Sequence, residues 1–310
     1  MKKVDVIFVE LQDCGMRHYT YFPTIYKFLE VAAAHNKPIV VFDRVNPLGG
    51  LMEGPLVDDP FISFVSIASY PLRHGMTVGE LALYCNDVVL KKRANLQVVP
   101  MANYNRFQQY PLLSPLSPNI QTLRACSGYS FLGMLGEIRL SQATKKNMQN
   151  SRLLVPINIG IGSENAFSMV GVDKTLYSNM SFWYRLKNLL QQRGIQTKGL
   201  MLYDERRQQN IRGISFCLSS MISVPSFELF LLLANQLQKA GFVIDFKPIF
   251  DKVAGIEEVR KYLQGVVSYK ELSNKVNGQL QEFYEKAKPY FLYEPRPQLH
   301  LLNIEKEPIF

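Results

Sequence analysis

Three short stretches carry the side chains best suited to chemistry. "ELQDCGMRHYTY" crowds Gln12, Asp13, Arg17, His18 and Tyr19 together. "FDRVNPLGGLMEGP" offers Asp43, Arg44 and Asn46, then one isolated carboxylate, Glu53. "PLRHGMTVGE" places His74 just ahead of Glu80. Amides, acids, a guanidinium and phenols are the donors and acceptors that a hydroxylated ligand needs. A lone carboxylate such as Glu53 could act on it as a general acid or base. Plainer readings stand beside these. Asp13 and Arg17 could simply pair where a helix begins. Asn-Pro and Gly-Gly are turn formers, so the second stretch could only turn the chain. His74 could be satisfied within its own loop. Glu80 follows Thr77 in a T-x-x-E capping box, which accounts for it better than catalysis does. The glycines do not form a nucleotide cradle. There is no G-x-G-x-x-G, and no Gly-Lys-Ser/Thr at a helix start.

These stretches leave predicted strands. "VDVIFVEL" and "KPIVVFD" read as buried strands, "SFVSIA" as a short third and "NLQVVPM" as a fourth. Between the first two, Ile25, Phe28, Leu29 and Ala32 have helical spacing, and the helix ends near Asn36. "MTVGELALYCNDVVLKKR" reads as a capped helix. Alternating strands and helices predict a doubly wound parallel sheet, with ligands at the carboxyl ends of its strands. The proline- and serine-rich "YPLLSPLSPNIQT" cannot hold regular structure for long. Beyond Phe167 the pattern changes. "FWYRLKNLLQQRG", "PSFELFLLLANQLQKAG" and the capped "SYKELSNKVNGQLQEFYEKAKPYF" read as helices, and "TKGLMLY" and "GISFCLSSM" as strands. The expected organisation is α/β: a Rossmann-like parallel-sheet domain over 1–165 and a smaller auxiliary α+β domain over 166–310.

The chain has 310 residues, is 47% hydrophobic and carries a formal charge of +9. That charge would suit an anionic partner, but the basic residues are scattered. The densest groups, "LKKRAN" and "DERRQQNIR", fall at helix ends or turns, and no nucleic-acid motif accompanies them. No run of 18 apolar residues occurs, so no membrane-spanning helix is expected. Asp5 and Glu10 interrupt the N-terminal apolar run, which reads as a strand and not as a signal peptide. The chain as written is therefore expected in the cytoplasm. Cys14, Cys85, Cys126 and Cys217 lack metal spacing and read as buried free thiols.

Taken in order, "ELQDCGMRHYTY", "FDRVNPLGG…EGP", "RHGMTVGELA", "VVPM" and "SPLSPNIQTL" resemble the exo-β-N-acetylmuramidases, glycosidases of bacterial peptidoglycan recycling. "FDKVAGIEEVRKYLQGVVSYKEL" and "FYEKAKPYFLYEP" resemble the same family's closing segment. The resemblance implies a Rossmann-like domain and an auxiliary domain with the site between them. It also implies release of N-acetylmuramic acid from peptidoglycan fragments, and no cofactor or metal. Carried over residue by residue, Gln12, Asp13, Arg17 and Tyr19 match its first motif. Asp43, Arg44, Asn46, Gly49 and Gly50 match the second. Glu53, His74 and Asn119 fall in the motifs that follow.

The departures lie elsewhere. An upstream G-P-E-H-G motif has no counterpart here. Where the family has F-E-G-T and S-E-G-R-G-T, this chain has "LGEIRLSQATKK", with Glu137 one place from the first glutamate and Gln142 in place of the second. Glu53 is thus the expected catalytic carboxylate and Glu137 the second candidate. The alternative is a non-catalytic descendant that binds muramyl sugars or a protein partner. The resembled family is often exported. If its first strands reside on a separate N-terminal chain, the sheet should show an unpaired apolar edge, to be met by that chain or by a homo-oligomer.

Overall fold

The computed structural model describes residues 3–143, 152–175, 177, 179–218 and 224–307. The first half runs β1 (Ile7–Val9), α1 (Tyr21–Ala34), β2 (Ile39–Phe42), β3 (Leu51–Met52), α2 (Val78–Tyr84) and β4 (Leu96–Val99). β1, β2 and β4 form a parallel sheet in that order. Strand alternation sends Ile7, Val9, Ile39 and Val41 into a core with Phe22, Ile25 and Leu29 of α1 and Leu81 of α2. Phe28, expected on that face, is 41% exposed. α1 stops where Asn36 takes a positive φ and the Lys37 N–H returns to the Ala32 carbonyl. α2 opens with the expected capping box of Thr77 and Glu80, then loosens into a π turn over Cys85–Val89.

Two expectations for this half change. "SFVSIA" is not a strand, because Ser63 and Ser66 exchange backbone hydrogen bonds of 3.0 Å in a closed turn. Nor is the sheet doubly wound. α1 and α2 share one core on one face, while Phe8 and Val99 on the other face remain 65% and 37% exposed. β1 is the edge strand on this side, and its Phe8 ring stacks on Phe42 at 6.0 Å.

The second half comprises α3 (Leu123–Leu135), β5 (Ile138–Ala143), β6 (Arg152–Val155), β7 (Met169–Asp173), α4 (Met180–Gln191), β8 (Thr197–Asp204), β9 (Gln209–Phe216), α5 (Ser226–Lys239), β10 (Val243–Phe246), α6 (Phe250–Ala254), α7 (Glu258–Leu263), α8 (Tyr269–Ala287) and β11 (Gln298–Leu299). β10-β5-β6 and β7-β9-β8 are antiparallel sheets around a core that includes Phe131, Phe216, Phe227 and Phe230. The last residues of "GISFCLSSM" lie outside the described residues. Of the four cysteines expected to be buried, Cys217 is exposed.

α8 joins the two cores. Its Leu272, Val276 and Leu280 enter one, and Phe283 and Ala287 the other. β11 then pairs in parallel with β3, so the end of the chain returns to the first half.

α3 approaches the 166–168 segment so closely that a Cβ at Gly128 would overlap the Phe167 carbonyl oxygen. Gly128→Ala should therefore lower unfolding free energy by about 1–3 kcal/mol, the usual cost of overpacking. Urea denaturation measures it, and an unchanged midpoint would mean that the contact yields freely.

Candidate functional site

The three loops singled out in the sequence do meet. The Arg17 N–H donates to the Leu72 carbonyl, and Glu53 and Arg73 exchange backbone hydrogen bonds of 3.0 and 3.1 Å. Asn46 Nδ2 donates to the Met76 carbonyl, joining the second loop to the third. Tyr19 and Tyr21 both donate to the Leu116 carbonyl, which anchors the loop leading to Asn119.

Most of the matched residues are spent on this assembly. The Arg17 guanidinium is fully buried and donates to the carbonyls of Pro55, Tyr70, Val253 and Ala254 and to Ser66 Oγ. Burial pulls its pKa down to about 9, so it stays charged and ties the second loop to α6. Asp43 accepts from Thr77 Oγ1, the Gly79 N–H and Tyr293 Oη, so it holds the entry of α2 and the C-terminal segment together. Burial raises its pKa against the lowering effect of those hydrogen bonds. Asn46 closes an Asx turn onto the Leu48 N–H.

Glu53 is 1% exposed. Oε1 accepts from Arg73 Nη1 at 2.9 Å and from the Ser226 N–H at 2.7 Å, and Oε2 accepts from the Phe227 N–H at 3.1 Å. Ser226 and Phe227 open α5, so Glu53 sits on a helix N-terminus, where the macrodipole favours an anion. The expected acid/base is thus an enclosed carboxylate with both oxygens engaged, and it has no face for a substrate. Two arginines that sequence reasoning passed over are the counterparts. Arg73 also donates to the Val224 and Leu48 carbonyls and to Ser226 Oγ. Arg106 makes two bonds to Glu80, at 2.7 and 3.2 Å, and reaches the carbonyls of Gly75, Tyr293 and Pro295. A single arginine in a loop gives no signal in sequence that it will pair with an acid far along the chain.

Asp13 differs. Its Oδ2 accepts from the Gly15 N–H at 2.7 Å and meets His74 Nε2 at 3.4 Å, while Oδ1 is buried with no partner among the described residues. His18, 8% exposed, has no partner for either ring nitrogen among the described residues and packs at a tilt against Tyr129 at 4.8 Å. Tyr129 belongs to α3, a helix that sequence reasoning did not single out. Burial, with the nearby charges of Asp13 and Glu137 among the further causes, raises its pKa well above the usual phenol value. Glu137 lies between α3 and β5. It is partly exposed and pairs with Lys247 at 3.4 Å. Gln12 donates to the Val45 carbonyl, and Arg44 pairs with Glu10 at the accessible margin. Asn119 stands apart, accepting the Gly162 N–H beside a cavity of about 440 Å³ between the 158–165 loop and the β8–β9 turn. Among the described residues no group of three or more His, Cys, Asp or Glu could hold a metal ion.

Burial pulls the His18 pKa down to about 3, with the Arg17 charge adding to it. The unfolded chain takes up that proton near pH ~6.5, so in the window between, the unfolded state binds more protons. Stability then falls as pH falls, by up to about 1.4 kcal/mol per pH unit. His18→Phe should flatten this slope in urea titrations run from about pH 6.5 to 4.5. A slope equal to wild type would show that His18 binds its proton as readily in the folded chain as in the unfolded one.

Fold and site together define a two-part α/β protein whose parallel-sheet loops converge on a polar, carboxylate-bearing centre. Residues 1–124 match the sequence profile of exo-β-N-acetylmuramidase NamZ, N-terminal, and residues 154–293 that of exo-β-N-acetylmuramidase NamZ, C-terminal. The chain belongs to this family. It is 27% identical over 299 residues to the peptidoglycan β-N-acetylmuramidase NamZ of Bacillus subtilis, covering 94% of this chain and 68% of that protein. Two crystal structures of DUF1343 family proteins from Bacteroides fragilis superpose on it. One has a TM-score of 0.79 at 27% identity, over 95% of this chain and 76% of the other. The second has a TM-score of 0.71 at 25% identity, over 94% and 76%.

Proposed function

We propose that this chain is a glycoside hydrolase that removes N-acetylmuramic acid from peptidoglycan fragments. The observation that carries the proposal is the match of both halves to a muramidase family, with the family's loop motifs assembled around Asp13 and His74. Glycoside hydrolysis ordinarily uses two carboxyl groups, but some acetamido-sugar hydrolases use the substrate's own 2-acetamido group in place of a nucleophile. In this proposal Glu137, the solvent-reachable carboxylate, is the general acid. Asp13, enclosed beside His74, holds the first loop at the edge of the site, and the substrate's own 2-acetamido group takes the place of the nucleophile. His74 positions Asp13, and Gln12 and Arg44 contact the sugar at the margin. Glu53, Arg17, Tyr19, Asp43 and Asn46 hold the loops that carry these groups. Asn119 stands apart from these groups and holds the 158–165 loop through the Gly162 N–H.

Glu53's enclosure favours one second reading, a binding protein that retains the muramyl site without turnover. Purified protein with a chromogenic N-acetylmuramide separates the two. Release above that of an Asp13→Asn, Glu137→Gln double variant supports the hydrolase. No release, with calorimetric binding of muropeptide, supports the binder.

A further inference from the structure

A groove of about 390 Å³ lies between α4 and the edge strand β8, away from the loops described above. Met180, Trp183, Tyr184 and Lys187 of the helix line one side. Gly199 and Met201 of β8, with Arg212 of β9, line the other. The volume falls in the range of about 300–1,000 Å³ typical of small-molecule sites. Met180, Tyr184 and Met201 are 59%, 67% and 64% exposed, an apolar cluster that water covers at a cost. Gly199 leaves open space where a side chain would stand, with nothing within 4 Å of a Cβ built there. The charge is one-sided. Lys187 and Arg212 line the groove, and none of its lining residues is acidic. Trp183 is 4% exposed, and its indole N–H has no acceptor among the described residues.

We propose that this groove binds a small organic anion with a flat apolar body and a carboxylate. The body lies along Trp183, Tyr184 and Met201 over Gly199. The carboxylate is held by Lys187 and Arg212, where apolar walls strengthen the charge attraction relative to open water. The site is independent of the glycosidase reading, since all its residues fall between 180 and 214 and none belongs to the converging loops.

Trp183 is the chain's one tryptophan, so its fluorescence reports the groove directly. Titration with 4-phenylbutyrate should give a saturable change, with 4-phenylbutyramide about tenfold weaker, because it offers no charge to Lys187 and Arg212. Lys187→Gln should weaken the acid part of the way to the amide's affinity, since Arg212 still faces the carboxylate. Gly199→Leu, which fills the floor, should abolish both responses while circular dichroism stays that of wild type. Absence of saturation in the wild type, equal affinity for acid and amide, or binding unaffected in a folded Gly199→Leu protein would each overturn the proposal.

Discussion

Arg73→Met should cost about 3–5 kcal/mol of unfolding free energy, because it strips the partner from a buried charge. The Glu53–Arg73 pair is fully enclosed and joins three parts of the chain: the second loop, the third loop and the start of α5. Ser226 extends the link to α3 through a 2.7 Å bond to Ser130 Oγ. Without Arg73, Glu53 keeps its two backbone donors but loses its counter-charge. Glu53→Gln should cost less than Arg73→Met, since a neutral amide can still accept from one of those donors. The double variant should cost less than the sum of the singles, because neither charge is then left alone. Urea unfolding of the four proteins measures this. A loss under about 1 kcal/mol for Arg73→Met would place the pair among weak surface bridges and remove its clamping function.

Glu137→Gln should behave in the opposite way. Its ion pair with Lys247 is partly exposed on both sides, so the stability change should stay within about 1 kcal/mol. Hydrolysis of the chromogenic muramide should fall by about 10²–10⁴-fold, the usual contribution of a positioned general acid. The fall should appear in kcat, with KM nearly unchanged, since proton donation acts in the transition state and not in sugar binding. Asp13→Asn should also lose rate, through a loosened first loop where Asp13 meets the Gly15 N–H and His74. A Glu137→Gln enzyme as fast as wild type would end the assignment of the general acid to Glu137.

These contrasting outcomes follow from features that differ in how they are written in the chain. Elements were legible where local rules govern them. The spacing of Ile25, Leu29 and Ala32, and the capping boxes at Thr77 and Ser268, depend on neighbours within one or two turns, so α1 and α8 formed as read and α2 began as read, though it ends at Tyr84. The parallel pairing of β1 with β2 follows from two apolar runs joined by a helix. "SFVSIA" misled because a short apolar run with serines suits a strand and a closed turn equally. Here the serine hydroxyl at Ser66 was recruited by Arg17 and the Lys252 carbonyl, far along the chain. The helices covering only one face of the sheet were equally out of reach, since strand alternation marks a buried face without saying what packs on the other.

The loop residues divide along the same line. Their types and order alone placed Asp13, Asp43, Asn46, Glu53 and His74 in one converging set, because each follows a strand or precedes a helix whose position is locally encoded. What each does was decided by tertiary structure. Glu53 looked free because its partners, Arg73 and the start of α5, lie 20 and 173 positions away. Asp13 could have been taken by Arg17, yet Arg17 is taken by four backbone carbonyls, and Asp13 keeps one oxygen without a partner among the described residues. Charge and hydrogen-bonding capacity are properties of residue type. Whether that capacity is already satisfied depends on burial and on distant partners, which only the folded chain brings together.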